Sequence, residues 1–153
     1  MPHKGIERRL AFRLLDQWHD LKEGERYPQL FEVMAQKDSE DFRHCFVFKV
    51  KEDLEQSEFL YIGEELAGST GCPQIGDALG TLADESLVAL ALRHLDKVME
   101  TGVPVSKGGE AELDGQGILY RSTLMPISSD GVFMDALWGG VNFRFRASDG
   151  ESG

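Results

Sequence analysis

The stretch GVPVSKGGEAELDGQGILYRSTLMPISSDGVFMDALWGGVNFRFR, residues 102–146, decides the fold. Three apolar-rich runs lie in it, and each gap between them carries an Asp-Gly pair. Asp114-Gly115 is a two-residue hairpin signal, because both positions of the favoured turn need positive φ. Asp130-Gly131 closes a second turn beginning at Ser128. The stretch therefore predicts a three-strand antiparallel meander: 103–113, 116–127 and 132–146. Gly108-Gly109 in the first strand marks a possible bulge. Gly139-Gly140 in the third breaks the alternation, which means a bulge or a close backbone contact.

Upstream, residues 85–101 read as one well-buried helix. Leu87, Leu90, Ala91, Leu95, Val98 and Met99 share a face, widened by Val88 and Leu92. Asp84 or Ser86 caps its start and Gly102 its end. Residues 63–80 hold five glycines and Pro73, which predicts short helical turns and loops. Before them the apolar period becomes two. Phe42, His44, Phe46, Phe48 and Val50 alternate with Arg43, Cys45, Val47, Lys49 and Lys51, as in a strand with one apolar face. Residues 59–62 form its hairpin partner. A short helix is expected over 29–36. The chain opens on an amphipathic helix over 5–22, whose stripe is Ala11, Leu14, Trp18 and Leu21, widened by Ile6, Leu10 and Leu15. Gly24 and Pro28 end it.

The totals limit the function classes. The chain has 153 residues, 41% apolar and 28% charged, enough for one domain with a real core. Its net charge of −11 argues against a nucleic-acid backbone and against an anionic membrane surface as partners. No apolar run is long enough to span a bilayer, and no signal core follows the charged N-terminus. Cys45 and Cys72 lack CxxC spacing and read as free thiols in a reducing compartment, so a cytoplasmic location is expected.

The joint order now carries a resemblance. A long helix ends in Met99-Glu100-Thr101-Gly102-Val103-Pro104. A strand ending Glu110-Ala111-Glu112-Leu113 turns through Asp114-Gly115 into Tyr120-Arg121-Ser122-Thr123-Leu124-Met125-Pro126-Ile127. Ser129-Asp130-Gly131 then leads into Ala136-Leu137-Trp138-Gly139-Gly140-Val141. This resembles the PAS sensory-domain superfamily over residues 6–146. The opening, with Arg9 to Trp18, Gly24 to Pro28 and Tyr61-Ile62-Gly63, looks like the short stand-alone PAS-like proteins of bacteria. The resemblance implies an α+β fold: a five-stranded antiparallel sheet with helices on one face and an N-terminal flanking helix. The implied layout is a flanking helix over 1–25, a PAS-like domain over 26–146 and a disordered tail over 147–153.

It also implies a sensory or regulatory module that binds a small ligand, a protein partner or both. No residues remain for an output domain, so the signal is expected to pass to a separate signalling protein. A homodimer is expected. The stripe Ala11, Leu14, Trp18 and Leu21 is the candidate dimer or partner surface. In such folds the inner sheet face lines the ligand cavity. His44, Phe46, Tyr120, Trp138 and Asn142 are the candidate pocket residues, although the Gly139-Gly140 pair leaves the facing of the third strand open.

Other chemistry is thinly supported. His94 stands on the long helix, where some family members place a haem ligand, but Arg93, Asp96 and Lys97 surround it and a boundary position is expected. Cys72 lies in Gly71-Cys72-Pro73-Gln74, without the Asn-Cys-Arg-Phe context of photochemical flavin binding. Haem and flavin are both disfavoured, and no metal-ligand spacing occurs. Arg9 and Arg13 form an Arg-x-x-x-Arg pair of the kind that clamps phosphate. The Asx-x-Ser-x-x-Gly strand of cyclic-dinucleotide receptors is missing, and a solvated helix face is expected. Glu64-Glu65, Asp84-Glu85, Glu110 and Glu112 read as surface charge. An alternative function is a small α+β enzyme of isomerase or hydratase type with a cone-shaped cavity. Asp135 and His44 are its candidate acid–base groups. A third reading is a structural adaptor with a filled core.

Overall fold

The computed structural model describes residues 2–146, with side chains from Arg9 onward. The tail expected over 147–153 lies outside the described residues. Helix α1 spans Pro2–Lys22 and α2 Leu30–Met34. Strand β1 is Cys45–Lys49 and β2 Glu58–Ile62. Helices α3 (Glu64–Ala67), α4 (Leu87–Leu92) and α5 (Leu95–Thr101) follow. The meander is β3 (Val105–Leu113), β4 (Gln116–Ile127) and β5 (Ala136–Phe145). All neighbours in the sheet are antiparallel, in the order β2-β1-β5-β4-β3. The first hairpin and the meander thus join through β1 and β5, giving the expected PAS-like α+β fold.

Two apolar layers flank the sheet. On the inner face, Phe46, Phe48, Phe59, Tyr120, Leu124, Leu137 and Val141 meet Leu66 of α3, Leu87 to Ala91 of α4 and Leu95 and Val98 of α5. On the outer face, Cys45, Val47, Met125, Ile127, Ala136 and Trp138 meet Leu10, Leu14 and Trp18 of α1 and Val33 of α2. The flanking helix therefore covers the face that α3 to α5 leave free. Central β1 is buried on both sides, which is why its apolar run is continuous.

Several local expectations change. The first strand begins at Cys45 rather than Phe42, because Glu40–His44 is a turn of 3₁₀ helix. Phe42 consequently packs on the outer face against Trp138, with ring centroids 5.4 Å apart, while Phe46 goes inward. The predicted long helix is two helices. The Arg93 and His94 amides bond to the Leu90 and Ala91 carbonyls, three residues back, and the α-helical ladder resumes at Val98. No Gly or Pro marks this break. Its ends follow the sequence: the Ser86 side chain caps α4, and Gly102 closes α5 at φ 69°.

Neither glycine pair makes a bulge. Pairing of β3 with β4, and of β4 with β5, runs without a register shift. The irregularity lies instead between Val47 and Phe48, where β1 pairs with β2. Gly139 and Gly140 are sites of close approach. A Cβ on Gly139 would lie 2.2 Å from Cζ of Phe46, and one on Gly140 would lie 2.4 Å from Cδ1 of Leu14. Asp114 and Gly115, at φ 56° and 74°, make the expected primed turn. The third strand starts at Ala136 because Ser128 and Asp130 organise a longer loop. Oδ1 of Asp130 accepts from the Val132 and Phe133 amides at 2.9 and 3.0 Å.

Candidate functional site

The inner layer is where a cavity is expected. Its centre is filled by three packed rings: Phe46 stacks on Phe48 at 6.4 Å and meets Phe59 edge-on at 6.1 Å, and Phe48 lies tilted 5.6 Å from Phe59. All three are essentially inaccessible to solvent. At the margin, His44, Glu65, Leu66, Leu87, Val141, Asn142 and Phe143 enclose a gap of about 60 Å³. That is room for roughly two water molecules at the liquid volume of about 30 Å³ each.

Two of the five candidate pocket residues, His44 and Asn142, meet at this gap. His44 arrives there because the 3₁₀ turn ends beside α3. Arg43 fixes that junction, with Nε 2.8 Å from Glu64 and Nη2 2.8 Å from Glu65. Burial lowers the His44 pKa, Glu65 opposes this, and Arg43 adds to it. The site therefore holds a neutral imidazole beside an amide, able to donate or accept one or two hydrogen bonds. Phe46 and Tyr120 belong to the filled interior of the same face. Trp138 does not belong to this face. It pairs with Met125 and Val47 and packs outward. Strand alternation across Gly139-Gly140 is unbroken, so Trp138 and Tyr120 stand on opposite sides of the sheet.

The α1 stripe is also reassigned. Leu10, Ala11, Leu14 and Trp18 are between 0% and 5% exposed within the single chain, so they are core and not a free contact surface. Leu21 packs at the edge of the same layer. The Trp18 indole N–H donates to the Pro126 carbonyl at 2.7 Å. That carbonyl lies beyond the last β3–β4 pair, Val105 with Leu124, where the ladder supplies no partner.

Arg13 is likewise committed. Its Nε lies 3.0 Å from both carboxylate oxygens of Asp41, and Nη2 lies 2.9 Å from Oδ1. Gln17 adds a bond to Oδ2 at 3.1 Å. The hydrogen bond with Asp41 raises the Arg13 pKa further. The Arg9–Arg13 phosphate clamp is not assembled, because Asp41 occupies one of its two forks. Sequence reading missed Asp41. It sits 28 positions from Arg13, just before the segment that read as strand, and no local pattern links them.

The cysteines are free and attach to different layers, Cys45 to the outer and Cys72 to the inner. Burial pushes the Cys45 thiol up to about 12, and its Sγ–H donates to the Asp41 carbonyl at 3.4 Å. His94 is partly buried at the start of α5, and burial, Lys107 and Arg93 all lower its pKa. No group of three or more His, Cys, Asp or Glu side chains is placed to hold a metal among the described residues. The enzyme candidates are not brought together. Asp135 accepts from Lys49 Nζ at 2.7 Å, at the far end of β1 from His44. That strand separates them by roughly 15 Å at about 3.3 Å per residue.

No family model matches the chain, and no curated protein does. Similar solved structures include an RsLOV variant, with 14% identity over 71% of this chain and 65% of that one, at a TM-score of 0.42. A second is the periplasmic sensory domain of the Campylobacter jejuni chemoreceptor Tlp1, with 10% identity over 90% and 53% of the two chains and a TM-score of 0.41. A third is a sensory box sensor histidine kinase from Vibrio cholerae, with 12% identity over 74% and 90% and a TM-score of 0.37. The chain thus spans less than two thirds of the length of the first two. The class is set by the sheet itself: an α+β domain with a PAS-like five-stranded antiparallel sheet covered by helices. No helix among the described residues is long and apolar enough to cross a membrane.

Proposed function

We propose that this chain is a sensory or regulatory module of signal transduction that acts by contact with a partner protein. The reading rests on the PAS-like fold and on one observation, the filled inner layer. Pockets for small organic ligands measure about 300–1,000 Å³. The gap at His44 is about 60 Å³, and Phe46, Phe48 and Phe59 occupy the ground beside it. Within the inner layer protein contact is therefore favoured over small-ligand sensing; the larger clefts, of about 290 Å³ beside Asp84 to Ser86 and about 440 Å³ beside Lys37 to Ser39, lie open at the surface. Two free thiols fit a reducing, cytoplasmic setting.

Native mass and absorption spectra of the purified protein test this. The expected result is the 17.1 kDa polypeptide mass, or a multiple of it, with no adduct and no band in the visible region. A haem or flavin band, or a small molecule retained in stoichiometric amount, would favour ligand sensing instead.

A further inference from the structure

The two edges of the sheet are treated differently. The edge at β2 is covered by its own chain. The Phe59 amide donates to Asp77 at 3.0 Å, Gly76 donates to Phe59 at 2.8 Å and Leu79 to Ser57 at 2.7 Å. The edge at β3 has no such cover: among the described residues, no backbone hydrogen bond reaches it from outside the sheet. It runs straight for nine residues without a bulge. An edge of this kind is a template for another strand.

The outward-facing groups can be named. The two-residue turn makes Leu113 and Gln116 a hydrogen-bonded pair, so odd-numbered residues of β3 bond to β4. The Arg146 amide donates to Gly117 at 2.9 Å, which confirms that odd-numbered β4 residues turn toward β5. The backbone N–H and C=O of Ser106, Gly108, Glu110 and Glu112 therefore point out of the sheet.

We infer that β3 pairs antiparallel with β3 of a second copy about a two-fold axis at Gly109, the midpoint of the strand. In this register all four outward residues bond: Ser106 with the second copy's Glu112, and Gly108 with its Glu110. About eight backbone hydrogen bonds form. On the inner face Val105 meets Leu113, and Lys107 meets Ala111. On the outer face each carboxylate stands opposite Ser106 or Gly108. The two Gly109 residues meet at the close, non-hydrogen-bonded position, where the Tyr120 ring of each copy already covers the glycine. No like charges stand directly opposite; the two Glu110 carboxylates are diagonal neighbours across the axis, each paired with Arg146 of its own chain. Moving the axis to Glu110 would set two carboxylates opposite, and an axis at Gly108 would leave Pro104, which has no N–H, opposite Glu112. The occupant is a second copy because this strand is complementary to itself over its full length. Association strengthens with salt, since each chain carries a net charge of −11.

Sedimentation velocity and amide exchange on the intact chain test the inference. The wild type is expected to sediment at twice 17.1 kDa, with slow exchange at Ser106, Gly108, Glu110 and Glu112. Gly108→Glu puts a carboxylate opposite Glu110 twice per dimer and weakens association roughly tenfold. Gly108→Lys strengthens it. Both displace the same flexible Arg121 guanidinium, so steric cost cancels between them. Gln74→Glu and Gln74→Lys, at the opposite edge, change net charge equally and leave the mass unmoved. A wild-type monomer at the highest soluble concentration overturns the inference. So does a dimer whose four amides exchange freely, one insensitive to the charge at 108, or one that responds equally at 74.

Discussion

Replacing Gly139 by alanine tests the packing account most sharply. The new methyl would sit 2.2 to 2.8 Å from three ring atoms of Phe46, well inside contact distance. The ring has nowhere to go, since Phe48 and Phe59 flank it and it is fully buried. The backbone cannot yield either, because β5 is paired on both sides. Overpacking of this kind costs about 1–3 kcal/mol, and the confinement places Gly139→Ala near 3. In a domain of this size that lowers Tm by roughly 6–10 °C. Phe46→Leu alone costs about 1–2 kcal/mol through lost burial. In the double variant the methyl fills space that the ring has vacated. The pair should then lie only about 1–2 kcal/mol below wild type, not 4–5, a coupling of about 2–3 kcal/mol. Urea melts of the four proteins measure this cycle. Additive losses, or a Gly139→Ala protein within about 0.5 kcal/mol of wild type, would refute the close approach.

Trp18→Phe keeps an aromatic ring but removes the indole N–H and some buried bulk and strands the Pro126 carbonyl, so chemical denaturation should show a loss of about 1–3 kcal/mol. Thiol titration of the native protein at mild alkaline pH should find Cys72 reacting slowly, since partial burial raises its pKa too, and Cys45 silent until denaturant is added, because Cys45 is fully buried with its pKa pushed up to about 12. The Asp130 carboxylate is held down to about 2 by the Phe133 and Val132 amides and the Ser128 hydroxyl. A depressed acid contributes stability that is complete above its unfolded pKa of 3.8 and is lost as pH falls toward 2, so Asp130→Asn should flatten melts in that window. His44 and His94 have lowered pKa values, so the unfolded chain binds more protons below 6.5 and stability falls with pH there. His44→Gln should weaken that slope.

Much of the fold was legible because its signals are local. Asp114-Gly115 fixes a turn through backbone chirality, and the flanking runs show their alternation openly. What was not legible depends on partners distant in the chain. Phe42 alternates with Phe46 in sequence, yet a 3₁₀ turn sends it to the other side of the sheet. The helix break at Arg93-His94 has no Gly or Pro to announce it. For the site, His44 and Asn142 were found as residues but their surroundings were not. The α1 stripe was read correctly as apolar and assigned to the wrong neighbour, since a periodic face shows that something covers it and not what does. Asp41 escaped because an ion pair across 28 positions leaves no local pattern.

The adjacent glycines of β5 also have a mechanical meaning. Elsewhere the two layers are separated by side chains standing on both faces of the sheet. At Gly139 and Gly140 that padding is absent, so the Phe46 ring bears on the strand from one side and the Leu14 methyl from the other. The sheet is thinned there to bare backbone. A displacement of the inner aromatic cluster is delivered to α1 through a single peptide unit, with no soft side chain between to absorb it.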